Sequence, residues 1–212
     1  MTDTPHKPFL FCLSRRVLQF MFRVFHRWEL HGGDHVPPVG GFLLAANCVR
    51  FLAPPALGCA APGRVVRFMA RDTLFKKGLG AWFMNGVAAF PISRDRGDVG
   101  ALKKCIQLLR NGDCVGIFPE GTRSRDGRPG QAKAGIGFLI IAAGVPVVPA
   151  FIDGTYAALP RGSLWPKPRK IRVFIGSPIQ PEEFAQYGKG RESYALVAKL
   201  VMDRIKALQP SA

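Results

Sequence analysis

Apolar positions along the chain fall into two rhythms. Short continuous runs at Gly41–Ala46, Val65–Ala70, Val87–Ile92, Cys114–Phe118, Val145–Phe151 and Ile171–Gly176 are strand-like. Between them, Val99, Leu102, Ile106 and Leu109 recur at helical spacing, and Asn111-Gly112 closes that helix. Ala132–Ala143 predicts a second helix ended by Gly144, and Tyr194, Val197, Val201, Ile205 and Leu208 form the stripe of a C-terminal one. Strands alternating with helices predict a single α/β domain with a central, mostly parallel (mixed) sheet flanked by helices. The apolar stretch from Phe138 to Ile152 is broken by Gly144, Pro146 and Pro149, so it reads as helix, turn and strand rather than a membrane span.

The segment from about Pro8 to Arg27 has its own pattern. On a helical wheel, Arg15, Arg16, Gln19, Arg23, His26 and Arg27 occupy roughly a third of the circumference, and Phe11, Leu13, Val17, Leu18, Phe20, Met21, Phe22, Val24 and Phe25 take most of the rest. A wide Phe-rich face beside a narrow Arg-rich one suits an amphipathic helix lying in a bilayer interface. The competing expectation is a terminal helix packed on the domain with its basic side in water. His26 is expected to be an ordinary polar-face residue. The chain thus divides into a membrane-associating helix at 1–29 and an α/β domain at 30–212, placed peripherally on the cytoplasmic face of a membrane.

Charge and cysteines narrow the picture. Thirty Lys+Arg against fourteen Asp+Glu give a net charge of +16, which favours anionic partners such as lipid headgroups or phosphorylated molecules. Without a nucleic-acid motif, nucleic acid is set aside. Five cysteines with no C-x-x-C pair and no His cluster argue against disulfides and against a metal site, and suit a reducing compartment. Cys105 and Cys114 fall in apolar patterns, as small buried thiols do.

Candidate chemistry gathers where strands end. The run Cys114–Phe118 passes directly into Pro119-Glu120-Gly121-Thr122-Arg123-Ser124, at the end of a strand where open α/β sheets bind ligands. Gly121 permits close backbone approach, Thr122 and Ser124 supply hydroxyls, and Arg123 supplies a fork of donors matched to phosphate. Val87–Ile92 likewise ends in Ser93-Arg94-Asp95-Arg96, and Lys133 follows the first turn.

The order G-V-A-A-F-P-I-S-R, F-P-E-G-T-R-S and V-P-V-V-P resembles the second to fourth motifs of the glycerophosphate and lysophosphatidate acyltransferases, over about Leu30 to Ile179. The resemblance implies a mixed sheet docked on one membrane leaflet. The implied reaction moves an acyl group from acyl-CoA or acyl carrier protein to a glycerophospholipid precursor, with no cofactor beyond the donor substrate. It implies that Arg94, Glu120, Gly121 and Arg123 bind or shape the phosphate-bearing acceptor, and Thr122 and Lys133, in and after the same turn, join them as candidate substrate-binding residues. It also exposes a departure. The family's N-H-x-S-x-x-D motif matches Asn47-Cys48-Val49-Arg50-Phe51-Leu52-Ala53, so Cys48 stands at the histidine position and Ala53 at the aspartate position.

Arg50 stays protonated and cannot act as a base, and Ala53 can orient nothing. An ionised Cys48 could attack a thioester, but later transfer to a hydroxyl would still lack a base. His31 and His35 lie upstream, in a turn expected at the surface. Two readings follow: acyl transfer lost or altered on an acyltransferase scaffold, or a non-enzymatic lipid- or acyl-CoA-binding pseudoenzyme with a regulatory role at the membrane. Both take an anionic membrane surface, a lysophospholipid and an acyl thioester as partners.

Overall fold

Each of the apolar runs becomes a strand, and all join one sheet. The structure, a computed structural model, describes residues 8–48, 52–71, 89–92, 98–122, 124, 127, 129–160, 163 and 165–210. Helix α1 (Pro8–His26) leads into β1 (Glu29–His31), a 3-10 turn at Gly33–His35 and β2 (Phe42–Ala46). Then come α2 (Ala53–Cys59), β3 (Val66–Arg71), β4 (Phe90–Ile92), α3 (Asp98–Arg110) and β5 (Cys114–Ile117). The chain continues through α4 (Ala134–Ala143), β6 (Val147–Asp153), α5 (Thr155–Ala158), β7 (Arg172–Ile175), α6 (Pro181–Ala185) and α7 (Arg191–Ala207).

The sheet has seven strands in the order β1-β7-β6-β2-β5-β3-β4. All neighbours are parallel except β6 and β7, so the sheet is mixed but mostly parallel, as expected. Because β7 runs against β6, and β1 runs with β7, the starts of β1 and β7 share a rim with the ends of β2, β5 and β6.

Strand residues alternate between two cores. Phe42, Leu44, Ala46, Val148, Ala150 and Ile152 face Leu57 and Phe22, from α2 and α1. Leu43, Ala45, Val115, Ile117, Val147 and Phe151 face Leu109, Leu139, Ile140, Val201 and Ile205, from α3, α4 and α7. Burial on both faces is why these strands read as continuous apolar runs. Cys59, Cys105 and Cys114 are buried thiols, and Cys12 is exposed. Among the described residues, no helix is long and apolar enough to cross a membrane, and no His/Cys/Asp/Glu group is arranged to hold a metal.

Helix α1 packs with a face that differs from a core-facing amphipathic helix. Phe22 and His26 are buried against the domain. Gln19 Nε2 donates to the Cys59 carbonyl at 3.2 Å, and His26 Nδ1 donates to the Arg169 carbonyl at 3.1 Å. His26 is therefore an interior tie and not a water-facing polar residue. On the opposite side Leu13, Val17, Phe20, Met21, Val24 and Phe25 are exposed. The basic side does not lie alone in water: Arg15 Nη1 reaches the Arg64 carbonyl at 3.4 Å.

Candidate acyl-transfer site

The rim that collects the ends of β2, β5 and β6 holds Asn47-Cys48 and the F-P-E-G-T turn side by side. Asn47, one residue beyond β2, is fully buried and meets Ile152 of β6 in both directions. Its Oδ1 accepts from the Ile152 N–H at 2.7 Å and its Nδ2 donates to the Ile152 carbonyl at 3.0 Å. A side-chain amide here replaces ladder bonds that end with the Ala46–Ala150 pair, so the buried Ile152 backbone groups stay partnered.

Glu120 then braces Cys48. Its residue is buried, and its Oε1 accepts from the Cys48 backbone N–H at 2.9 Å while Oε2 accepts from the Gly130 N–H at 3.1 Å. The Ser124 N–H donates to the Cys48 carbonyl at 2.9 Å. Cys48 is thus clamped through both backbone groups by residues of the turn after β5, and its side chain is half-buried. Charge-assisted bonds from backbone donors to a carboxylate are short and strong, so this brace orders two loops at once.

Lys133 closes the turn from above. Its N–H donates to the Pro119 carbonyl at 3.0 Å, and its side chain lies over Gly121. Gly121 has φ of 64°, and a methyl built on it would stand 2.8 Å from Lys133 Cε and 3.0 Å from Nζ. Only glycine both adopts this backbone and admits the ammonium so close.

The structure therefore brings Cys48, Glu120, Gly121 and Lys133 together. Thr122 is exposed on the same turn. Ala53 is fully buried at the start of α2, packed in the core beneath. Arg94, Arg123 and Arg50 lie outside the described residues. His31 is exposed and stacks on Phe174, and His35 Nδ1 donates to the Ile175 carbonyl at 2.9 Å. Both histidines are engaged with the β7 side of the sheet.

Two contributors were not singled out from the sequence. Asn47 served only to set the motif's register, although a lone amide directly after an apolar strand was a usable signal. Gly130 carries no local signal, because its role depends on a carboxylate ten residues earlier.

Chemically, the arrangement offers a cation beside a glycine turn, which suits a phosphate, and a half-buried thiol on the braced backbone at Cys48.

The family model described as acyltransferase matches residues 27–153. The chain is 28% identical to the 1-acyl-sn-glycerol-3-phosphate acyltransferase of Bacillus subtilis (strain 168) over 181 residues, covering 85% of this chain and 87% of that protein. It is 38% identical over 120 residues to the chloroplastic 1-acyl-sn-glycerol-3-phosphate acyltransferase BAT2 of Brassica napus, covering 55% of this chain and 35% of that one. Among solved structures, the 1-acyl-sn-glycerophosphate acyltransferase PlsC of Thermotoga maritima superposes with a TM-score of 0.72 at 25% identity, over 96% of this chain and 80% of that one. The chain therefore spans most of the bacterial relative and about a third of the plant one.

Proposed function

The chain belongs to the acyltransferase family, and on that premise we propose that it holds a glycerophosphate-bearing lysophospholipid and an acyl thioester at a membrane surface while transferring the acyl group negligibly. The observation that carries this reading is the Glu120–Cys48 brace. The scaffold that presents the motif position is intact, while the side chain presented is a thiol and its would-be orienter is a buried methyl. Lys133 beside Gly121 supports phosphate binding, with Arg94 and Arg123 assigned to the same acceptor by family position and Thr122 by its place in the same turn. A positioned base is worth about 10²–10⁴ in rate, which is the loss expected here.

The test is acyl transfer from labelled acyl-CoA to lysophosphatidate, using wild type, Cys48→Ala and Cys48→His/Arg50→Ser/Ala53→Asp. Negligible wild-type turnover and a gain in the triple variant are expected. Robust wild-type turnover that survives Cys48→Ala would defeat the proposal. Label retained on Cys48 would instead assign an altered mechanism, in which the thiolate attacks the thioester carbonyl and the CoA thiolate leaves.

Membrane docking belongs to the same reading. The outward apolar side of α1 supports insertion into the acyl boundary, with Arg16 and Arg23 at the headgroups. Val17→Ser/Phe20→Ser/Phe25→Ser alters only exposed positions and should weaken binding to anionic vesicles by more than about tenfold. Unchanged affinity would remove α1 from the contact.

A further inference from the structure

We infer that the loop at 163–170 is a second lipid anchor, which with α1 seats the Cys48–Glu120 rim on an anionic bilayer. This extends the membrane reading of α1 and rests on it.

Trp165 is 82% exposed, more than any other large apolar side chain among the described residues. An indole so placed is costly in water, yet at a bilayer interface its ring meets the acyl boundary and its N–H stays wet. Lys167 and Arg169 are exposed beside it. Residues 165–170 contain three Lys/Arg and no Asp/Glu; Lys170 pairs with Glu29 at 2.7 Å, and Lys167 and Arg169 give the loop a charge that complements an anionic surface.

The loop is built to enter an interface. Pro166 and Pro168 stiffen it and remove two backbone donors that would otherwise need water. Several remaining polar groups are satisfied internally. Ser163 Oγ donates to the Trp165 carbonyl at 2.8 Å, the Lys167 N–H to the Ala158 carbonyl at 2.6 Å, and His26 Nδ1 to the Arg169 carbonyl. Backbone with its bonds already made loses little on leaving water.

Position decides what the anchor does. The loop enters β7 at the rim where β6 ends, and the Ile171 N–H donates to the His26 carbonyl, so it abuts the C-terminal end of α1. Towards the site the contacts are continuous. The loop is bonded to α5, a methyl on Gly127 would touch the Tyr156 ring of α5 at 3.1 Å, and Gly127 and Ser124 lead to Cys48. An anchor here sets the site at the leaflet from which a lysophospholipid or acyl chain would come.

The experiment uses the full chain with Trp28→Phe and Trp82→Phe, leaving Trp165 as the one tryptophan, and vesicles of phosphatidylcholine and phosphatidylglycerol in equal parts. Vesicles should shift Trp165 emission to the blue, and nitroxide-labelled acyl chains should quench it. Trp165→Ala/Lys167→Ala/Arg169→Ala should lower vesicle affinity by more than about tenfold, with about fivefold per cation, and leave the circular dichroism spectrum unchanged. Vesicle binding with Trp165 emission unchanged overturns the second anchor and leaves α1 in place. Absence of vesicle binding by the chain overturns both. A tryptophan that ignores vesicles but responds to polyglutamate marks a site for an acidic protein and overturns the lipid assignment.

Discussion

Glu120 Oε1 accepts the backbone N–H of Cys48 at 2.9 Å, and Oε2 of the same carboxylate accepts that of Gly130 at 3.1 Å. One buried side chain thereby couples the end of β2 to the loop that leads into α4. Such a carboxylate fixes the backbone of Cys48, and it does so without touching the thiol through this bond.

Removing the brace should cost stability before anything else. Glu120→Ala leaves two backbone donors without their charged acceptor, and hydrogen bonds to charged groups are worth about 1.5–3 kcal/mol each. A loss of about 3 kcal/mol is expected, with about 1–2 kcal/mol for Glu120→Gln, whose amide oxygen can still accept from one of them. Urea midpoints of the two variants against wild type measure this.

Asn47 offers a parallel case in a drier place. Asn47→Ala deprives the buried Ile152 N–H and carbonyl of their partners at 2.7 and 3.0 Å, and about 3 kcal/mol should be lost. Asn47→Asp should be worse, because it keeps an acceptor for the N–H but sets a carboxylate against the Ile152 carbonyl. Thermal unfolding that ranks the two in the opposite order would contradict this account.

Two glycines of α4 should respond in opposite directions. A methyl on Gly137 would stand 1.9 Å from the Tyr194 carbonyl oxygen of α7, so Gly137→Ala forces the helices apart and should cost about 3 kcal/mol or more. Gly135 has open space around its Cβ position, and Gly135→Ala should stabilise by up to about 1 kcal/mol through helix propensity. Denaturant titrations of both variants test the α4–α7 contact directly.

The buried thiols predict an alkaline weakness. Burial pushes Cys59 up to about 11 and Cys105 up to about 12, and raises Cys114 as well. Above the ordinary thiol range the unfolded chain sheds these protons while the folded chain keeps them. The folded state then binds more protons, and stability falls as pH rises, by about 1.4 kcal/mol per unit for each thiol inside its window. Urea midpoints from about pH 8 to about pH 11 should fall, and the slope should flatten in Cys59→Ala/Cys105→Ala. In the native state at neutral pH, alkylation should reach exposed Cys12 and half-buried Cys48 and spare the other three.

Much of this was legible one residue at a time. The strands β2, β5 and β6 announced themselves because strands buried on both faces need apolar residues at successive positions, whereas β7 alternates buried and half-buried residues. Helices α1, α3 and α7 were long enough for a period of 3.6 to emerge, whereas α4 is apolar throughout and was marked by its closing Gly144. Three-residue β1 offered no period, and α2 was hidden because Pro54 and Pro55, suited to a first helical turn, also read as a loop.

By itself the sequence determined the α/β class, the order of its main elements, and which residues follow each strand, Cys48 after β2 and Glu120 after β5 among them. Only the tertiary structure decided that Glu120 grips Cys48, because the partners lie 72 residues apart and meet only when β2 and β5 pair. It also decided which side of α1 faces out. Periodicity defines the two faces of a helix, but Phe22, Gln19 and His26 must find their partners on the domain before either face has a direction.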